Sequence, residues 1–87
     1  MHVEPICFVG DEALTILMEE CGEVIQVASK IQRFGDREHY DNLSKEIGDI
    51  MCMIDILVEQ GVVDINLALH SKENKRKKLK NYSSLEL

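Results

Sequence analysis

Two short acidic runs carry the chemistry this chain can do. The first is Glu19-Glu20-Cys21-Gly22-Glu23 and the second is Glu46-Ile47-Gly48-Asp49. Carboxylates three residues apart point to the same side of a helix. Each run lies inside an otherwise apolar helical pattern, so each pair borders a stripe that belongs in a core. Charge there is costly unless something positive is held beside it. Glu20, Glu23, Glu46 and Asp49 together make a candidate all-oxygen site for a hard divalent cation. Mg²⁺ suits such donors, with Mn²⁺ as a possible substitute. Neither pair contains a histidine, which makes a di-iron site of the Glu-x-x-His kind the poorer choice, and no EF-hand loop is present.

These acids need two helices to position them. Leu14, Leu17, Met18, Cys21, Val24, Ile25, Ala28 and Ile31 recur at three- and four-residue steps. That spacing predicts an amphipathic helix from a cap at Asp11 to about Phe34, stopped by Gly35. At 100° per residue, Glu20 falls on the edge of the stripe near Ile16 and Val27, with Glu23 just beyond it and Glu19 further out. Gly35 to Asn42 reads as a polar connection with Asp36, Arg37, Glu38 and His39 exposed. A second helix is expected from near Asp41 or Asn42, with Leu43, Ile47, Ile50, Met51, Ile54, Leu57 and Val58 on its apolar face and Gly61 at its end. Glu46 and Asp49 project beside Met53 and Ile56. Packed antiparallel, the two helices bring Glu20 and Glu23 opposite Glu46 and Asp49. Gly22 and Gly48, inside helices, each cost about 1 kcal/mol against alanine. A close approach of a backbone or a ligand would account for that.

Asp64 is a candidate cap for a third helix that opens with Ile65, Leu67, Ala68 and Leu69 and turns basic after His70. The chain thus divides into an extended arm (1–10), a helical domain (11–82) and a frayed tail (83–87). All 87 residues make one all-α domain with a small core, for which help from a partner subunit is plausible. The net charge of −6 argues against a general nucleic-acid binder. No apolar run is long enough to cross a bilayer, and Met1 to Gly10 lacks the features of a signal peptide. Cys7, Cys21 and Cys52 read as buried free thiols in a reducing cytoplasm. Met18, Met51 and Met53 read as core, and His39 and His70 as surface residues.

LMEECGEVIQVASKIQRFG followed by LSKEIGDIMCMIDIL resembles the MazG-like branch of the all-α nucleoside triphosphate pyrophosphohydrolases, in its short phage-type form. The shared pattern is EExxE, a gap, then ExxD, and the similarity spans roughly residues 11 to 82. The resemblance implies Mg²⁺ held by Glu20, Glu23, Glu46 and Asp49, and cleavage between the α- and β-phosphates to a monophosphate and pyrophosphate. It implies dimers or tetramers, in which three-helix protomers combine into a four-helix-type bundle. Glu19 has two readings, as the residue that orients or deprotonates the attacking water or as a solvated acid. Lys72, Asn74, Lys75, Arg76 and Lys78 either contact substrate phosphates or, in the case of the cations, complement the helix dipole. Lys30 and Arg33 are further candidate substrate contacts. Two other functions stay open: a helical interaction protein without turnover, and hydrolysis of phosphoribosyl-ATP.

Overall fold

The computed structural model describes residues 11–35 and 37–87. The expectations for the N-terminal arm, Cys7 and Asp36 lie outside them. Three helices follow in order: α1 (Asp11–Phe34), α2 (Arg37–Glu59) and α3 (Ile65–Tyr82). No strand occurs among the described residues, so the fold is all-α as expected. No helix among them is long and apolar enough to cross a membrane.

α1 carries Asp11 and Glu12 in its first turn and Arg33 in its last, each favourable to the helix dipole. It ends at Gly35, whose φ of +62° a side chain would resist. The Gly35 N–H donates back to the Ile31 carbonyl at 2.8 Å, the single bond of a left-handed cap. α2 begins at Arg37, some four residues before the expected start. α1 and α2 therefore form an antiparallel helical hairpin.

Gly61 closes α2 with φ +75°. The Val62 N–H reaches the Leu57 carbonyl at 2.9 Å and the Gly61 N–H reaches that of Val58 at 3.0 Å, which is a Schellman motif. Asp64 then caps α3 as expected, its carboxylate accepting from the N–H groups of Asn66 (2.9 Å) and Leu67 (3.2 Å). Beyond α3 the tail is not helical, and Ser83 ties back to the Leu79 carbonyl.

The core sits where the start of α1 meets the end of α2. Ala13, Met53 and Leu57 are its buried residues, with Leu14, Ile16, Leu17, Ile56 and Val63 packed around them. Periodicity placed the broad apolar stripes of both helices against this seam, and the structure corrects that. The half-buried positions of α1 include Leu17, Glu20, Val24, Val27 and Ile31, while Met18, Cys21, Ile25 and Ala28 are exposed. On α2 the inner line is Leu43, Glu46, Ile50, Met53 and Leu57, leaving Ile47, Met51 and Ile54 outside. Two helices bury only one narrow strip each, and here the strip is the flank that carries the acids. Of the three methionines expected in the core, only Met53 is there. Cys21 and Cys52 are free but exposed, not buried. Among the described residues, neither Gly22 nor Gly48 has an atom beyond its own helical backbone within 4 Å of where a Cβ would stand, so no close backbone approach there explains them.

Candidate metal centre

Glu20 and Glu46 enter the α1–α2 seam half-buried, one from each helix, while Glu23 and Asp49 are exposed at its mouth. One carboxylate oxygen from each of Glu20, Glu23 and Glu46 lies within 4.8 Å of the others. Asp49 completes the group through its hydrogen bond and charge on Glu20 and its charge on Glu46. All four acids singled out from the sequence thus meet at one place. The seam brings them there because the hydrophobic pairing of Ala13 with Met53 and Leu57 sets the register of the hairpin.

The acids disturb one another. Glu46 is pushed from its ordinary 4.5 up to about 7, first by its hydrogen bond with Glu23, then by burial, then by the charges of Glu23, Asp49 and Glu20. Glu20 is raised as well, chiefly by burial, then by the charges of Glu23 and Asp49. One oxygen of Glu20 and one of Glu46 are buried without a hydrogen-bond partner. Buried acceptors left unpaired are costly, and a bound cation would satisfy both. The donors are all hard oxygens, which fits Mg²⁺ or Mn²⁺ better than a softer metal.

A pH dependence follows for the metal-free protein. Glu46 binds its proton more tightly folded than unfolded, so between about pH 4.5 and 7 the folded state holds the extra proton. Stability therefore falls as pH rises through that window and levels off above it. Added Mg²⁺ should expel the proton, so its affinity should weaken below about pH 7. Denaturant melts from pH 5 to 8, with and without Mg²⁺, check both signs.

The remaining candidates are scattered. Glu19 is exposed, one residue outside the cluster. Lys30 and Arg33 are exposed further along α1, and the Arg33 guanidinium sits 5.2 Å from the centre of the Phe34 ring. That ring stacks on His39, which is half-buried and not the surface residue expected. α3 lies on the other flank. Ile65, Ala68, Leu69 and Lys72 border a cleft of about 360 Å³ with Met51, Ile54 and Asp55 of α2. Helical rotation sets Met51 and Ile54 on the side of α2 away from Asp49. Asn74, Lys75 and Lys78 line a separate shallow depression with Leu67, His70 and Ser71. Arg76 is exposed. No cation contributes to the shifts of Glu20 or Glu46. The α3 candidates therefore stand apart from the acids in this protomer.

Residues 10–81 match the family model of the MazG nucleotide pyrophosphohydrolase domain. The chain belongs to the MazG family. A search of curated proteins and one of solved structures gave no match. In this MazG chain four of the five acids of the EExxE and ExxD pattern are the ones the hairpin seam gathers.

Proposed function

We propose that this protein is a Mg²⁺-dependent nucleotide pyrophosphohydrolase that splits nucleoside or deoxynucleoside triphosphates into the monophosphate and pyrophosphate. The observation that carries the proposal is the convergence of Glu20, Glu23, Glu46 and Asp49 in one seam, two of them with buried unpaired oxygens, in a chain of the MazG family. These four residues hold the metal in this reading. A divalent ion bound there offsets charge on phosphate oxygens and acidifies a water. Glu23 and Asp49, at the exposed mouth, orient the ion toward a substrate arriving from solvent. Glu19, next along that edge, is placed to accept the proton of the attacking water. Lys30 and Arg33 lie along the same helix and meet the anionic part of the nucleotide. Lys72, Asn74, Lys75, Arg76 and Lys78 face the other flank and reach a nucleotide only on a neighbouring protomer.

That neighbour is a second copy of the chain, as a homodimer or homotetramer in the cytoplasm. A protomer with three buried core residues among those described leaves Met18, Ile25 and Met51 more than 60% exposed on one flank. Two copies pairing across that flank would give the four-helix-type bundle. The purified protein, incubated with each nucleoside and deoxynucleoside triphosphate and with phosphoribosyl-ATP in the presence of Mg²⁺, should release pyrophosphate from at least one. No product from any of them would leave a helical binding protein as the better reading.

A further inference from the structure

Two stripes of side chains leave the acid cluster in the same direction, and each leads to a lysine. On α1, Lys30 follows Glu23 by seven residues, which is 20° short of two full turns and about 10 Å along the axis. On α2, Lys45 precedes Asp49 by four residues, 40° from one full turn and about 6 Å along the axis. Because α1 and α2 run antiparallel, rising numbers on α1 and falling numbers on α2 both lead toward the turn at Gly35. Glu23 and Asp49 are the exposed pair at the mouth of the cluster, so Lys30 and Lys45 flank the same open face just beyond it.

The bland role for Lys45 is a helix ion pair, since Asp41 and Asp49 each lie four residues away. The structure forms neither. Among the described residues the ion pair present is Lys77 with Glu73, at 4.0 Å on α3. Lys45 and Lys30 are both exposed, with no carboxylate partner among the described residues. The α3 cations lie on the opposite flank. Within one protomer, Lys45 is thus the cation nearest in register to the acids on their open side.

We propose that Lys45, with Lys30 beyond it, grips the terminal phosphates of a nucleoside triphosphate whose α-phosphate lies at the carboxylate cluster. This deepens the pyrophosphohydrolase reading and rests on it. The substrate lies along the hairpin with its phosphate tail toward Gly35, and the departing pyrophosphate leaves over the two lysines. Lys45 is then a positioning residue, and Lys30 beyond it distinguishes a triphosphate from a diphosphate, whose shorter tail does not reach as far.

The test compares the wild type with Lys45→Ala, Lys45→Arg, Lys30→Ala and, as a control on α3, Lys77→Ala. For the triphosphate turned over best, Lys45→Ala should raise KM about 10-fold or more, the size of a lost charged hydrogen bond. Its kcat should stay within about threefold, since the contact is uniform binding. Lys45→Arg should restore most of the KM, and Lys77→Ala should change nothing. Calorimetry with inorganic tripolyphosphate and Mg²⁺ should show the same loss in Lys45→Ala, while affinity for Mg²⁺ alone is unchanged. An unaltered KM and unaltered tripolyphosphate affinity in Lys45→Ala would overturn the assignment, as would a fall in Mg²⁺ affinity that accounts for the whole effect. If no nucleotide is hydrolysed, the pyrophosphohydrolase reading fails by itself. The calorimetric arm then decides alone: tripolyphosphate that binds only with Lys45 present supports the grip, and none bound by the wild type refutes it.

Discussion

Glu46→Gln is expected to lower Mg²⁺-dependent nucleotide cleavage by at least about 10²-fold, since even groups one step removed from a metal cost 10- to 100-fold when lost. The substitution is nearly isosteric, so the α1–α2 seam should pack as before and helicity by circular dichroism should match the wild type. What changes is charge. Glu46 is the acid whose proton is held up to about 7 by Glu23, by burial and by the surrounding carboxylates. A neutral amide removes one partner from that repulsion. The metal-free variant should therefore be at least as stable as the wild type at pH 8, and its stability should vary less between pH 5 and 7. Binding to the folded state alone stabilises a protein by mass action. Millimolar Mg²⁺ should raise the wild-type Tm and leave that of Glu46→Gln nearly fixed. Glu59→Gln, exposed at the far end of α2, serves as the control and should behave as wild type. Wild-type turnover in Glu46→Gln, or an undiminished Tm response to Mg²⁺, would mean that the seam is not the metal centre.

The acid cluster was legible because its signal is local. Three-residue spacing puts Glu20 with Glu23 and Glu46 with Asp49 whatever surrounds them, and a hairpin between the two helices leaves little choice of partner. The helix ends at Gly35 and Gly61 and the cap at Asp64 were legible for the same reason, since each depends on backbone chemistry within a few residues. The start of α2 does not show in the sequence because Arg37 and Glu38 are polar, and polarity alone suits a loop as well as the first turn of a helix. Nothing there breaks a helix, and His39 in the first turn packs its ring on Phe34 at the end of α1. The orientation of the apolar stripes was missed for a deeper reason. Periodicity shows which residues share a face, but it does not show which face meets which neighbour. Here both helices have an apolar arc wider than a two-helix seam can cover. The flank with Glu20, Val27, Glu46 and Met53 went inward, and the flank with Met18, Ile25, Ile47 and Met51 was left outside. The same gap hid Lys45, which looks like any surface lysine until the register of the hairpin sets it beside the cluster.

Met51→Asp should turn the assembled protein into separate and less stable protomers. Met51 is 61% exposed in the protomer and lies between two apolar patches. On one side are Met18, Cys21 and Ile25 of α1, and on the other is the cleft with Ile54 of α2 and Ile65 and Leu69 of α3. Met18, Ile25, Ile47, Met51 and Ile54 are all exposed on this flank, apolar side chains of the kind a protein–protein interface covers. On the proposed homo-oligomeric reading a second copy would cover this flank, because a two-fold axis presents the same patch on both sides. An aspartate at its centre would have to be buried unpaired or exposed by dissociation. Central interface positions cost about 2 kcal/mol or more when lost. A two-fold contact contains the residue twice, so the dissociation constant should rise by about 10³-fold. Light scattering on a size-exclusion column should find the wild type as a dimer or tetramer at micromolar concentration and the variant as a monomer. The variant's Tm should also fall and lose its dependence on protein concentration. Lys77→Ala, at the far side of α3, should leave the assembly intact. A wild type that runs as a monomer at high micromolar concentration, melting at a concentration-independent temperature, would show that three buried core residues suffice and that the outer flank faces only water.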